Sequence, residues 1–138
     1  MKTLRILLAE DNPADVILVR HALEEHRISH ELRVVTDGLD AIEFVASIGQ
    51  AQSLDWPDIL LLDLNLPRAD GSEVLRAFRE HPQGGATPVI VVTSSAAKAD
   101  RQRVEPLGIS RYFQKPVDFD GFMRLGAVVK EVVSGSHA

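Results

Sequence analysis

Apolar runs of strand length alternate with helix-like segments along the whole chain, and this alternation is its most constraining feature. The predicted strands are Leu4–Glu10, Glu31–Asp37, Asp58–Asp63, Thr87–Ser94 and Ser110–Lys115. Segments with helical periodicity follow them at Asn12–His26, Gly38–Ile48, Asp70–His81, Ala96–Gly108 and Asp118–Val133. Successive strand–helix units favour an α/β fold with a parallel sheet covered by helices on both faces.

Several helix boundaries carry their own signals. Asn12 before Pro13 is typical of an N-cap followed by proline in the first helical position, and Asp15 lies where the helix dipole favours negative charge. Pro82 ends the third helix, and Pro106 is expected to break the last turn of the fourth. The last helix offers a broad apolar face, comprising Phe119, Phe122, Met123, Leu125, Val129 and Val132.

The length and composition are typical of one soluble domain. The chain has 138 residues, of which 45% are hydrophobic and 25% charged. We predict a single domain over residues 1–133 and a flexible tail over residues 134–138. Cysteine is absent, which excludes disulfides and thiolate metal sites. The net charge of −5 argues against nonspecific binding to DNA, and no apolar run approaches the roughly 20 residues of a membrane span. We therefore expect a cytoplasmic protein.

Residues capable of chemistry follow four of the predicted strands. Glu10 and Asp11 come after the first strand, Asp63 ends the third, Thr93 lies near the end of the fourth, and Lys115 ends the fifth. Ligands of open parallel sheets bind beyond the carboxyl ends of the strands. Each residue alone has an ordinary interpretation as a cap, a strand residue or a solvated lysine. Their joint placement predicts a functional site at this edge.

The residue types at this edge match the needs of a phosphoryl group. Three carboxylates placed close together repel each other unless a cation compensates, and Mg²⁺ prefers oxygen ligands. Lys115 adds a positive charge suited to phosphate, and Thr93 adds a hydroxyl donor. Asp63 is placed to accept the phosphoryl group. The residues alone leave open the direction in which phosphate moves.

Four motifs combine in an order that is highly specific: LLAEDNPAD, LLLDLNLPRADG, VIVVTSS and YFQKP. With these motifs, the chain resembles the receiver domain of two-component response regulators, the CheY-like superfamily, over essentially its whole length. The EDNPAD segment and the stretch Ser47–Pro57 are most similar to stand-alone receivers paired with phytochrome-type or other hybrid sensor kinases. The resemblance implies a (βα)5 doubly wound sheet with the flavodoxin-like strand order 2-1-3-4-5.

The resemblance also implies a role for each site residue. Asp63 would accept a phosphoryl group from a sensor histidine kinase or a histidine phosphotransfer protein. Asp11, Asp63 and the backbone carbonyl of Asn65 would bind Mg²⁺, for which Mn²⁺ or Ca²⁺ can substitute, and Glu10 would act through water. Lys115 would contact the phosphoryl group.

A conformational switch is implied as well. Thr93 would move towards the phosphoryl oxygens, Tyr112 would turn inward, and the Lys115–Pro116 bond would be cis. The protein would then be a phosphoacceptor that signals to a downstream protein, not an enzyme, although phosphotransfer and autodephosphorylation would be self-catalysed. A homodimer through the fourth helix, fifth strand and fifth helix is a further implication.

Three other functions fit parts of the sequence. An aspartate-based phosphohydrolase needs an acid two residues after its nucleophile, where this chain has Asn65. A flavodoxin relative needs a hydroxyl- and glycine-rich phosphate loop after the first strand, where this chain has carboxylates. A degenerate receiver would lack part of the site, which is complete here.

The chain departs from the family pattern near the site. Ser94 stands where the family often has Ala or Gly, and Asn65 and Ser95 occupy positions that affect phosphate loss in the family.

Overall fold

The computed structural model describes residues 2–48 and 56–135, and its elements alternate as predicted. The strands are β1 (Leu4–Ala9), β2 (His30–Val35), β3 (Ile59–Leu62), β4 (Val89–Thr93) and β5 (Arg111–Gln114). The helices are α1 (Pro13–Glu25), α2 (Gly38–Ile48), α3 (Gly71–Glu80), α4 (Lys98–Val104) and α5 (Phe119–Ser134), with a 3₁₀ helix at Glu105–Leu107. Most of the stretch Ser47–Pro57 lies outside the described residues.

The five strands form one parallel sheet in the order β2-β1-β3-β4-β5, which confirms the predicted topology. Ala9, the last residue of β1, is in register with Val35 of β2 and Leu62 of β3. Thr93, the last residue of β4, is opposite Gln114 of β5. The carboxyl ends of the strands therefore meet at one edge, and the chain changes direction across the sheet between β1 and β3, where such folds bind ligands.

Helices cover both faces of the sheet, which explains the nearly continuous apolar strands. Leu60 and Leu62 of β3 join the buried cluster that contains Phe78 of α3. The intervening Leu61 joins the opposite cluster, with Phe122 of α5. Because neighbouring strand residues point to opposite faces, each side chain of β3 is buried in one core or the other.

The predicted N-cap of α1 and the predicted effect of Pro106 on α4 are both found in the structure. Asn12 caps α1, since its Oδ1 accepts a hydrogen bond from the Ala14 amide at 2.9 Å. The α-helical conformation of α4 ends at Val104, and Pro106 lies in the 3₁₀ helix that follows. Proline has no amide hydrogen, so it cannot continue the α-helical hydrogen bonding.

The last helix differs from the prediction at both ends. Phe119 was expected in the apolar face, but it begins α5 and is 55% exposed, because the buried face starts at Gly121 and Phe122. Ser134 was assigned to the tail but is the last residue of α5, and residues 136–138 lie outside the described chain. Among the described residues, no helix has the length and apolarity needed to cross a membrane.

Candidate functional site

The sheet brings four residues of the predicted site to its carboxyl edge. Glu10 directly follows β1, Asp63 follows β3, Thr93 ends β4 and Lys115 follows β5. The backbone ladder continues into the site: the Asp63 amide donates to the Ala9 carbonyl at 3.0 Å, and the Lys115 amide donates to the Thr93 carbonyl at 2.8 Å. These bonds fix the backbone from which the functional side chains project.

The ammonium group of Lys115 is the centre of the site and contacts three carboxylates. Its Nζ lies 2.6 Å from Oδ2 of Asp15, 2.9 Å from Oδ2 of Asp63 and 2.9 Å from Oε1 of Glu10. The side chains of Lys115, Asp63 and Glu10 are only 8%, 6% and 1% exposed. An ammonium group has three hydrogen-bond donors, and the three carboxylates compete for them.

Burial and hydrogen bonding shift the pKa values of the two buried carboxylates, Glu10 and Asp63, in opposite directions. Burial raises the pKa of Glu10 to about 7, although the hydrogen bond from Lys115 opposes this shift. Burial also acts to raise the pKa of Asp63, but hydrogen bonds from the Asn65 amide and Lys115 outweigh it and hold that pKa below its ordinary value. Burial acts to lower the pKa of Lys115, and its hydrogen bonds to Asp15, Glu10 and Asp63 raise it overall. At neutral pH, Asp63 is therefore ionised beside a charged lysine.

Three carboxylates of the site fit a divalent cation. One oxygen from each of Glu10, Asp11 and Asp63 lies within 4.8 Å of the others. Glu10 and Asp63 are buried whereas Asp11 is exposed, and the Asn12 amide orients Glu10 by donating to its Oε2 at 3.2 Å. Hard cations such as Mg²⁺ and Mn²⁺ take such oxygen ligands. The contribution of the Asn65 carbonyl remains a prediction.

Thr93 and Tyr112 are connected through the loop after β4. Thr93 is fully buried, and its Oγ1 accepts a hydrogen bond from the Ser95 amide at 3.4 Å. The Tyr112 hydroxyl donates to the Ser95 carbonyl at 2.8 Å, and the Arg101 guanidinium lies 4.8 Å from the centre of the half-buried Tyr112 ring. Ser94 is exposed. The movements expected of Thr93 and Tyr112 remain predictions, but their shared contact with Ser95 provides a physical link between them.

The loop between β3 and α3 is anchored to the start of α2. The Gly38 amide donates to the Pro67 carbonyl at 2.9 Å. Arg68 pairs with Asp37 at 3.0 Å and with Asp40 at 3.2 Å, and it has a left-handed φ of 70°, which is uncommon for a residue other than glycine. These contacts hold in place the loop that carries Asn65.

The expected cis peptide bond between Lys115 and Pro116 is not found, because none of the described peptide bonds is cis. The trans form of a bond before proline is favoured by about 0.5–1 kcal/mol. The Lys115 ammonium reaches its three carboxylates with the trans bond, so the expectation was wrong.

Asp15 belongs to the site although the sequence assigned it only to the start of α1. It is separated from Lys115 by 100 positions yet makes the shortest of the three contacts of that lysine. The signal that could have identified it is its place in the first helical turn after β1. That turn lies at the same sheet edge as Glu10 and Asp11.

Comparisons of the sequence agree with this geometry. The family model described as "Response regulator receiver domain" matches residues 6–125. The response regulator Rcp1 of Synechocystis sp. is 39% identical over 110 residues, which cover 80% of this chain and 75% of that protein. The probable methanogenesis regulatory protein FilR2 of Methanothrix harundinacea is 34% identical over 126 residues, which cover 91% of this chain and 81% of that protein.

Solved structures share the fold over nearly the whole chain. The phosphorylated cyanobacterial phytochrome response regulator RcpA superposes with a TM-score of 0.85 and 30% identity, covering 98% of this chain and 96% of its own. The Mn²⁺-bound form of Rcp1 has a TM-score of 0.79 and 33% identity, covering 93% and 92%. These relatives are a phosphorylated protein and a metal-bound protein.

Proposed function

The chain belongs to the response regulator receiver domain family, and on this premise we propose that it is a phosphorylation-driven switch that acts in the cytoplasm. A sensor histidine kinase, of the phytochrome type, or a histidine phosphotransfer protein supplies the phosphoryl group. Asp63 accepts it in a Mg²⁺-dependent reaction. The phosphorylated protein then signals to a downstream protein, and loss of the phosphoryl group is self-catalysed.

The environment of Asp63 carries this proposal. Its Oδ1 accepts a hydrogen bond from the Asn65 amide at 3.1 Å, and its Oδ2 accepts one from Lys115 at 2.9 Å. The carboxylate is therefore oriented, ionised and placed within reach of Glu10 and Asp11. An oriented anionic nucleophile beside a fixed positive charge is what in-line phosphoryl transfer requires.

The proposed transfer needs no residue beyond this edge of the sheet. A carboxylate oxygen of Asp63 attacks phosphorus while the bond between phosphorus and the donor histidine nitrogen breaks. The electron pair of that bond stays with the imidazole, which takes up a proton, and Asp63 becomes an acyl phosphate. Lys115 neutralises charge on the phosphoryl oxygens. Asp11, Asp63 and the Asn65 carbonyl would hold a divalent cation, with Glu10 acting through water, and the cation would supply further neutralisation of charge.

The switch is proposed to run through Thr93 and Tyr112. A phosphoryl group on Asp63 offers new acceptors to the Thr93 hydroxyl, which would draw the loop after β4 towards the site. Because Tyr112 donates to the Ser95 carbonyl in that loop, the same movement changes the position of its ring. We propose that this alters the face formed by α4, β5 and α5, through which the protein contacts its target and a second copy.

Exposed apolar side chains beside the site suit the docking of a phosphodonor protein. Ile17 of α1 and Phe119 of α5 are both 55% exposed, and Val117, two residues after Lys115, is completely exposed. The His21 ring, one turn after Ile17, lies 6.4 Å from the Phe119 ring, centre to centre. We propose that the histidine-bearing helices of the phosphodonor bind at these exposed side chains of α1 and of the segment that follows Lys115.

The decisive experiment is labelling with ³²P-acetyl phosphate and Mg²⁺. We expect an acid-stable, hydroxylamine-labile label on the wild-type protein and none on Asp63→Asn. Asp58→Asn is the matched control because it removes a carboxylate at the opposite end of the same strand, where Asp58 Oδ2 accepts from the Arg5 amide. Undiminished labelling of Asp63→Asn would refute the assignment. Sustained hydrolysis of p-nitrophenyl phosphate would instead favour a phosphohydrolase.

A further inference from the structure

Asp15 is the carboxylate in contact with Lys115 that does not belong to the acidic group suited to a metal. Among the described residues, that group consists of Glu10, Asp11 and Asp63. The Oδ2 of Asp15 nevertheless lies 2.6 Å from the Lys115 ammonium, closer than the other two carboxylates, and its side chain is only 18% exposed. Asp15 therefore binds the ammonium group from outside the metal site.

This contact opposes an incoming phosphoryl group in two ways. The Lys115 ammonium donates hydrogen bonds to Asp15 and Asp63 and forms an ion pair with Glu10, so a phosphoryl oxygen must compete with three carboxylates for this group. The negative charge of Asp15 also repels a phosphoryl group, which carries about −1.5 to −2 charges at neutral pH. A bound cation offsets the charges of its own ligands, but Asp15 is not among the carboxylates grouped to bind one.

We propose that Asp15 is a positioning residue that restrains Lys115 and thereby slows phosphorylation of Asp63 and lowers its extent. This inference rests on the proposed function of Asp63 as the phosphoacceptor. It gives the acidic residue in the first turn of α1 a kinetic role in addition to its favourable interaction with the helix dipole.

The test compares Asp15→Asn with wild-type protein at saturating Mg²⁺ and low ionic strength. Asparagine keeps the size and an acceptor oxygen but removes the charge. We expect the initial rate of labelling by acetyl phosphate to rise roughly fivefold, the scale of one unit charge acting across a partly solvated site. The increase should shrink as salt is added, because salt screens the removed charge. Asp15→Glu should return the rate towards that of the wild type.

Asp120→Asn is the matched control, since Asp120 is an exposed acidic residue in the first turn of α5. It changes net charge and helix dipole equally, and its labelling rate should equal that of the wild type. A second readout is the NMR signal of the Lys115 ammonium protons, which should exchange faster with water in Asp15→Asn. A merely structural role for Asp15 would not make the labelling rate depend on salt in this way.

Labelling of Asp15→Asn at or below the wild-type rate would overturn the proposal. If that variant does not fold by circular dichroism, Asp15→Ser, with another short polar side chain suited to a helix start, decides the question by the same criterion. Failure of the proposed function is recognised separately, because Asp63→Asn would then be labelled as strongly as the wild type. Wild-type labelling that depends on Asp63 but is unaffected by Asp15→Asn refutes only this inference.

Discussion

The ammonium nitrogen of Lys115 lies 2.9 Å from Oδ2 of Asp63, although the two residues are separated by 52 positions in the sequence. The contact places a positive charge beside the proposed nucleophile. It also allows Glu10 and Asp63 to be buried together, because the same ammonium contacts both. The stability of the folded protein and the proposed phosphoryl transfer would therefore both depend on Lys115.

Replacing this lysine should make the fold depend on metal. In Lys115→Met, the carboxylates of Glu10 and Asp63 lose their shared cation, so without metal the free energy of unfolding should fall by about 3 kcal/mol. Mg²⁺ binds the folded site and should restore much of this loss. We expect the Mg²⁺-dependent rise in Tm, measured by circular dichroism, to be larger in Lys115→Met than in the wild type. Lys98→Met, at the exposed start of α4, is the control. An equal rise in all three proteins would contradict the prediction.

Removing Asp11 should weaken metal binding without disturbing the fold. Asp11 is exposed, but one of its carboxylate oxygens is grouped with those of Glu10 and Asp63. In Asp11→Ala, we expect the Mg²⁺ dissociation constant from calorimetric titration to increase at least about tenfold, since a charged oxygen ligand is lost. Asp120→Ala should bind Mg²⁺ as the wild type does. Equal affinity in Asp11→Ala would remove Asp11 from the metal site.

Gly38 should tolerate no side chain. A Cβ at this position would lie 1.8 Å from the Ala69 carbonyl oxygen, so the loop between β3 and α3 would have to shift. Gly38→Ala should therefore cost about 1–3 kcal/mol in chemical denaturation. Gly85→Ala is the matched control, because no atom lies within 4 Å of its Cβ position and its stability should stay near that of the wild type. Equal denaturant midpoints for the two variants would contradict the prediction, because the loop between β3 and α3 would then shift at little cost in free energy.

The N-cap of α3 should contribute stability that disappears in acid. The Ser72 hydroxyl donates to Asp70 at 2.6 Å, and this bond, together with backbone bonds from Ser72 and Glu73, outweighs burial and holds the pKa of Asp70 below its ordinary value of 3.8. Because the folded-state pKa is the lower one, the stabilisation is present above pH 3.8 and is lost as the pH falls through the folded-state pKa.

We therefore expect Asp70→Ala to lose about 1 kcal/mol at pH 7, and the difference from the wild type to shrink in acid. Urea unfolding between pH 7 and pH 3 measures both quantities. Asp70→Asn keeps a capping acceptor but has no titrating group at this position. The free energy of unfolding of Asp70→Asn should therefore lack the part of the pH dependence that comes from ionisation of Asp70. A difference between Asp70→Ala and the wild type that stays constant down to pH 3 would rule out an ionised cap.

Much of the fold and part of the site could be predicted from local patterns. Apolar periodicity identifies strands and helices, and a parallel sheet then brings the ends of its strands together. Asp63 was recognisable because it ends an apolar run, and Lys115 because it follows the fifth strand. Asn12 acts through its side chain on an amide two residues away, and Pro106 acts through its missing amide hydrogen, so the capping of α1 and the end of α4 followed from the sequence alone.

Only the tertiary structure decided which charges meet. Asp15 joins Lys115 because α1 directs its first turn over the sheet edge, and no local pattern encodes the orientation of α1 relative to β5. The exposure of Phe119 depends on where the buried face of α5 begins, and the bond from Tyr112 to Ser95 depends on the path of the loop after β4. Periodicity is a property of neighbouring residues, whereas an ion pair between residues 100 positions apart depends on the packing of the whole domain.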